Sequence, residues 1–526
     1  MAHADGVYPV KAVLGRFSLV ACGTLLLAVV AVAVVAPRAS NTPLRQWVVL
    51  VAMASLALVG VVLMATVSHD VLELIRRRPQ AASWVVTAAG LALCTPVALW
   101  GGYRPGWDAG GLLQITGTLG AGRPLNHATL VYLAAYPNND GALALLLMAR
   151  RLGAGVGLDA YTMFVLLNCL CLGVVLLSCF AVASRLRGPV AGVAAQLLCI
   201  ALIGLSPWMS VSYTDVLTTP IPIGAFALVA LAAERRQRWA RAALVVAALV
   251  ALGVGYSLKP TLAVATAALG AAGLLVLPGR SPRRLVAGLA VIALGAGVTV
   301  ASAMASQDGA AQIMAANGVR IDSNHSVPPD RYVLDGLQQG SHGTTKVAYG
   351  AYSAAVVSAT YGMTTHQMTI YSRRNILLRL HNLGVTGYAT FAAKKTAWNW
   401  GDGMFYAFGE SAKDAKLTSV ISHSPPARLL AQVNHSGGQW YPLRAELTQA
   451  LWLLVLLVGG VGLLVARPRP GTVLLALAVL GIAAFTTIFQ GRSRYLLTFV
   501  PVVLTLVSVV AIDPRRLLAP HRLFRP

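Results

Sequence analysis

Long uncharged apolar runs alternate along this chain with short polar breaks, many of them rich in arginine. The runs at 18–36, 46–67, 82–101, 160–183, 189–206, 216–233, 242–257, 261–277, 285–305, 448–466, 471–489 and 496–512 predict twelve membrane helices, since an α-helix needs about 20 apolar residues to cross about 30 Å of hydrocarbon. In lipid the backbone must satisfy its own polar groups within a helix or a closed barrel. No alternating ten-residue barrel pattern occurs, so the expected class is an all-α polytopic membrane protein. One further stretch, 139–152, is about 14 residues long and ends in Arg150-Arg151. That length and polarity suit a helix lying on the membrane.

The polar breaks set the orientation, because loops retained in the cytoplasm carry the Lys/Arg excess. Arg76-Arg77-Arg78, Arg185 with Arg187, Arg235-Arg236 with Arg238 and Arg241, Arg280 with Arg283-Arg284, Arg467 with Arg469, and the tail residues Arg515, Arg516, Arg522 and Arg525 all fall on one side. Both termini are expected in the cytoplasm. Lys11 and Arg16 precede a long first run with more spans behind it, which suits an uncleaved anchor.

Composition agrees with the pattern: 57% of residues are apolar, 11% are charged, and mean hydropathy is +0.70. The net charge of +24 lies mostly in the cytoplasmic loops, where it sets topology and meets anionic headgroups. It calls for membrane lipids and not for nucleic acid. All six cysteines sit in apolar runs, so neither an exported disulfide nor a Cys metal site is expected. The basic residues left outside that call for a role are Arg104, Lys259, Arg492 and Arg494.

Five regions follow: 1–81, a cytoplasmic tail with two spans preceding the catalytic unit; 82–305, a membrane module whose first outer loop is 102–159; 306–447, a polar exported segment; 448–512, the last spans; and 513–526, a basic tail. The exported segment is long enough for a small folded unit, and 373–400 predicts a helix or two over the membrane. No internal repeat of the transporter kind appears.

The candidate chemistry gathers in the outer loops. Trp107-Asp108 follows the third span, and Tyr136-Pro137-Asn138-Asn139 follows within the same loop. Tyr213-Thr214-Asp215 heads the sixth span, Lys259-Pro260-Thr261 separates the seventh from the eighth, and Arg492-Ser493-Arg494-Tyr495 precedes the last. Asp108 has two compatible readings, an N-cap for the following helix and a catalytic carboxylate; Asp215 has the same two. Tyr136-Pro137-Asn138-Asn139 reads as a turn or as two amides holding a carboxylate or sugar hydroxyl. Lys259, Arg492 and Arg494 either snorkel to the interface or converge on a phosphate, with the Thr261 hydroxyl beside them. His325, His342, His366, His381, His423 and His435 lack zinc-type spacing, and neither a P-loop, a nucleophile elbow nor a dinucleotide fingerprint is present.

Over roughly residues 82–510 this arrangement resembles the GT-C glycosyltransferases, polytopic enzymes that transfer a sugar from a polyprenyl-phosphate carrier. The likeness rests on Asp108 in the first large outer loop, on Tyr136-Pro137-Asn138-Asn139 where protein mannosyltransferases carry His-Pro-Pro, on Tyr213-Thr214-Asp215, and on an exported region among the later spans. The resemblance implies a GT-C-like fold, a polyprenyl-phosphate-linked sugar donor, and an envelope glycan, lipid or protein acceptor outside the plasma membrane. It implies Asp108 as base, with Asp215 sharing that role or orienting the acceptor, and Lys259, Arg492 and Arg494 on the phosphate. Trp107, Tyr136, Asn138, Asn139, Tyr213, Thr261 and Tyr495 would contact substrate. Ala109 stands where some relatives carry a second acidic residue, so the sequence offers no support for a divalent metal. A multi-pass transporter or flippase of a lipid-linked precursor is the rival reading, set back by span interiors nearly free of ionisable residues.

Overall fold

In a computed structural model of the protein the described residues are 9–35, 44–101, 103, 105–276, 282–342, 345–407 and 424–511. Arg104, Arg280, His423 and the tail arginines lie outside them. The first half of the chain forms α1 (Pro9–Val35), α2 (Gln46–Thr66), α3 (His69–Arg77), α4 (Pro79–Trp100), α5 (Trp107–Gly120), α6 (His127–Ala135), α7 (Asn139–Gly155), α8 (Ala160–Arg187), α9 (Pro189–Cys199), α10 (Thr214–Leu217), α11 (Pro220–Glu234), α12 (Arg238–Leu258) and α13 (Ala263–Val276). The second half forms α14 (Pro282–Ala316), α15 (Pro329–Gly336), an antiparallel hairpin of β1 (Gln339–His342) and β2 (Thr345–Tyr349), α16 (Ala354–Thr360), α17 (Thr365–Trp400), α18 (Pro425–Asn434), α19 (Tyr441–Val465), α20 (Pro470–Ile488) and α21 (Val500–Val510).

Among the described residues ten helices are long and apolar enough to cross a membrane. The chain is an all-α multi-pass membrane protein. The other two predicted spans are present as shorter apolar helices, Pro189–Gly204 and Pro260–Leu275, each reaching roughly 24 Å at about 1.5 Å per residue. Proline bounds both, at Pro207 after the first helix and at Pro260 where the second begins, since it has no N–H to continue a helix. The first helix ends in a π-turn (Ile200–Gly204) and gives way to a 3-10 turn at Pro207, capped by the Ser206 hydroxyl. The second is separated from α12 by Lys259-Pro260, with Lys259 in an extended conformation. The 139–152 stretch becomes α7, which is not one of the spanning helices.

α21 is buried along its whole length and forms the central column. α8, α9, α19 and α20 pack around it. α1 seats deeply against α19, where a Cβ on Gly23 would lie 2.9 Å from the Gly460 carbonyl, the close backbone approach that small residues permit between membrane helices. Arg45, at the start of α2, grips the fully buried Glu446 carboxylate of α19 with two hydrogen bonds of 2.8 Å. α14 continues to Ala316, past the end of its apolar run, as a polar extension. α17 bends at Gly384, whose φ of +60° is open to glycine without strain. The second arm of α17 ends in the buried Phe391, Trp398 and Trp400 against α1 and α20, close to the loop that joins α20 to α21.

Candidate functional site

Asp108 lies in the first turn of α5, but the N-cap of that helix is Gly106 and no side chain caps it. The capping role is therefore not what Asp108 does. Its carboxylate accepts a 3.1 Å hydrogen bond from the Tyr132 hydroxyl and lies 3.7 Å from Arg494 Nη2. Tyr132 in turn accepts from Asn139 Nδ2 at 3.0 Å, and Tyr213 donates to Asn139 Oδ1 at 3.4 Å. Burial raises the Tyr132 phenol well above its ordinary range, and the neighbouring Asp108 carboxylate adds to this. The phenol thus stays protonated and keeps donating. Asp108 is 41% exposed while Arg494 is 10% exposed: the carboxylate reaches solvent and the cation is nearly buried beside it.

A second centre lies against the first. Asp215, in the first turn of α10 behind the N-cap Tyr213, does not cap either. It forms a buried ion pair with Lys259 at 2.5 Å, and Lys259 also donates to Thr498 Oγ1 at 2.9 Å. Thr498 and Thr218 hydroxyls join at 2.9 Å. Asp215 Oδ2 and the Thr261 hydroxyl are buried without a hydrogen-bond partner among the described residues. Burial lowers the Lys259 ammonium while Asp215 opposes that shift. Breaking such a pair on one side leaves an uncompensated buried charge.

Tyr495 joins the two centres, with Arg494 5.3 Å and Lys259 5.6 Å from its ring centroid, within cation–π range. Arg494 also lies 5.7 Å from the Tyr213 ring. Arg492 lies 4.1 Å over the Tyr406 ring, and its charge also acts on Tyr495. Tyr406 and Phe405 both take positive φ, +64° and +49°, conformations that persist only when the surroundings over-determine them. Here the Asp402 carboxylate accepts from the Met404 and Tyr406 amides and from Ser493 Oγ at 2.6 Å, while Trp208 Nε1 donates to the Phe405 carbonyl at 3.0 Å.

Asp108, Asn139, Tyr213, Asp215, Lys259, Arg494 and Tyr495 thus meet in one connected cluster. Tyr136 borders it, its ring 5.3 Å from that of Tyr132 and its hydroxyl 3.4 Å from the buried Arg331. Among the described residues Asn138 hydrogen-bonds Asn139, at 3.4 Å, and Trp107 is exposed beside Asp108 with φ +46°. Sequence reasoning missed Tyr132, Thr498, Asp402, Tyr406 and Arg331. Tyr132 had a legible signal, one helical turn before Tyr136; the contacts that tie the others to the motif residues, such as Thr498 to Lys259, Asp402 to Ser493 and Arg331 to Tyr136, join positions far apart in the chain. Among the described residues no group of three or more His, Cys, Asp or Glu could hold a metal ion.

A family model described as "Conserved hypothetical integral membrane protein" matches residues 11–513, a span that includes the whole cluster. The chain belongs to this family. No curated protein matches it. Family membership gives membrane residence and no activity, so the chemistry of this integral membrane protein has to be argued from the cluster. A half-exposed carboxylate can take a proton. An arginine at its side can hold an anion, and the buried pair behind them fixes the ends of α10, α12 and α21 without being open to a ligand.

Proposed function

We propose that this protein is a GT-C-type glycosyltransferase, moving a sugar from a polyprenyl-phosphate donor to an envelope acceptor at the outer face of the plasma membrane. The observation that carries the reading is the juxtaposition of the half-exposed Asp108 with Arg494 at 3.7 Å, a base beside a cation. Asp108 takes the proton of the acceptor hydroxyl as its oxygen bonds to the anomeric carbon. The bond from that carbon to the phosphate oxygen breaks with its electron pair, and polyprenyl phosphate leaves against Arg494 and Arg492. A single displacement inverts the anomeric centre.

The geometry redistributes two roles. Lys259 is neutralised by Asp215 at 2.5 Å, so the phosphate falls chiefly to the arginines and Lys259 adds only its field. Asp215, 1% exposed, holds Lys259 in place and leaves the base role to Asp108. Tyr136 and the 306–447 segment form the acceptor side.

Incubating purified protein with a panel of polyprenyl-phosphate sugars tests the reading through release of polyprenyl phosphate. A transporter reading draws on the buried Lys259–Asp215 pair, since ionisable residues beside spans mark transport paths. Movement of an intact lipid-linked substrate across vesicles, with no release from any donor, would favour it.

A further inference from the structure

The residues leading into Arg492 and Arg494 are fastened from several points of the 306–447 segment. The Gln490 amide donates to the Tyr332 carbonyl and the Gly491 amide to the Gly350 carbonyl, both at 2.7 Å. At the centre of these contacts is Lys395 of α17, which is fully buried. Its Nζ donates to the carbonyls of Gly336 at 2.8 Å, Thr487 at 2.9 Å and Phe489 at 2.6 Å. An ammonium has three protons to give, and here each has its own backbone acceptor. Gly336 is the last residue of α15, and Thr487 and Phe489 flank the end of α20. One cation therefore closes two helix C-termini, where carbonyls lack intrahelical partners and the helix dipole favours positive charge.

The surrounding sequence makes room for it. A Cβ on Gly350, at φ +63°, would come within 2.4 Å of Lys395 Cε, and one on Gly491 within 3.3 Å. Burial pushes the amine down to about 7, and this cost is accepted for a side chain whose contacts are all with backbone at the junction.

We infer that Lys395 is a positioning residue that fixes the loop carrying Arg492 and Arg494 against the 306–447 segment, so that the anion-binding arginines and the acceptor side are set by a single clasp. The functional half of this inference rests on the glycosyltransferase reading; the clasp itself does not.

Lys395→Met keeps most of the length and removes the charge. Amide hydrogen exchange across 489–494 should then accelerate about tenfold or more while α8 and α19 are unchanged, and affinity for polyprenyl phosphate in nanodiscs should fall about tenfold. In a background where Arg492→Ala and Arg494→Ala are combined, the same change should cost nothing further in affinity, since Lys395 acts through the loop that carries them. Unaltered exchange at 489–494 overturns the inference. Should the variant fail to fold, the wild type decides: slow exchange at Gln490 and Gly491 supports the clasp, and exchange as fast as in exposed loops overturns it. Loosening of the loop in a protein whose wild type never binds polyprenyl phosphate would sink the glycosyltransferase reading and leave the clasp standing.

Discussion

Arg494 Nη2 stands 3.7 Å from Asp108 Oδ2, joining the loop before the last membrane helix to the loop after α4. The separation is that of an ion pair beyond hydrogen-bond length, so Asp108 can turn to an acceptor hydroxyl and Arg494 to an anion without breaking a hydrogen bond to each other. Tyr132 holds the other carboxylate oxygen at 3.1 Å, which keeps Asp108 aimed.

Asp108→Asn should abolish sugar transfer while leaving expression and membrane insertion intact, because the amide keeps the size and cannot take a proton. Single-turnover assays with the donor measure this. Near-normal turnover would remove Asp108 from the reaction.

Arg494→Ala should weaken polyprenyl-phosphate binding by about 1.5–3 kcal/mol, the usual worth of a hydrogen bond to a charged group. Arg494→Lys should recover part of the loss, since charge survives and the planar fork does not. Calorimetry in nanodiscs distinguishes this from interfacial anchoring, which leaves affinity unchanged in both.

Lys259→Ala should behave differently from Arg494→Ala and destabilise the protein by about 3–5 kcal/mol, the range for stranding one partner of a buried pair. The double change Lys259→Met with Asp215→Asn should be milder than Lys259→Ala alone. Thermal unfolding in detergent compares them, and a double variant less stable than the single one would contradict the pairing as the source of the loss.

Asp140, in the first turn of α7, has a buried Oδ1 with no hydrogen-bond partner among the described residues, and burial pushes its carboxyl up to about 7. The folded-state value is raised, so between the unfolded value near 3.9 and about 7 the unfolded chain releases this proton first and stability falls as pH rises. Asp140→Asn should remove that decline. Its melting temperature should exceed that of the wild type by a margin that widens from pH 4 to about pH 7 and then levels off. A constant margin would show that Asp140 does not titrate in this window.

A cysteine placed at the exposed Tyr361 should react with an impermeant label from outside the cell, and one at Gln237 only from inside. The reverse pattern would put the cluster in the cytoplasm and discard an outer-face reaction.

What the sequence determined by itself is the membrane class and the position of nearly every apolar helix. A run of about 20 uncharged residues has one low-energy form in lipid, whatever its neighbours do. The helical character of 373–400 was legible too, as were the loops holding Asp108, Asp215, Lys259 and Arg494. The exact ends were not: the run 189–206 closes in a π-turn at Ile200–Gly204 ahead of Pro207, a change of backbone geometry that hydropathy does not register. Only the tertiary structure decided who meets whom. Lys259 is bound to Asp215 and not poised alone for a phosphate, Gly106 and not Asp108 stands at the cap of α5, and Tyr132, Thr498 and Asp402 supply hydrogen-bond partners from positions outside the predicted motifs. Those meetings depend on how helices pack across hundreds of residues, and packing in a membrane turns on small-residue contacts and buried polar pairs that leave no periodic trace in the chain.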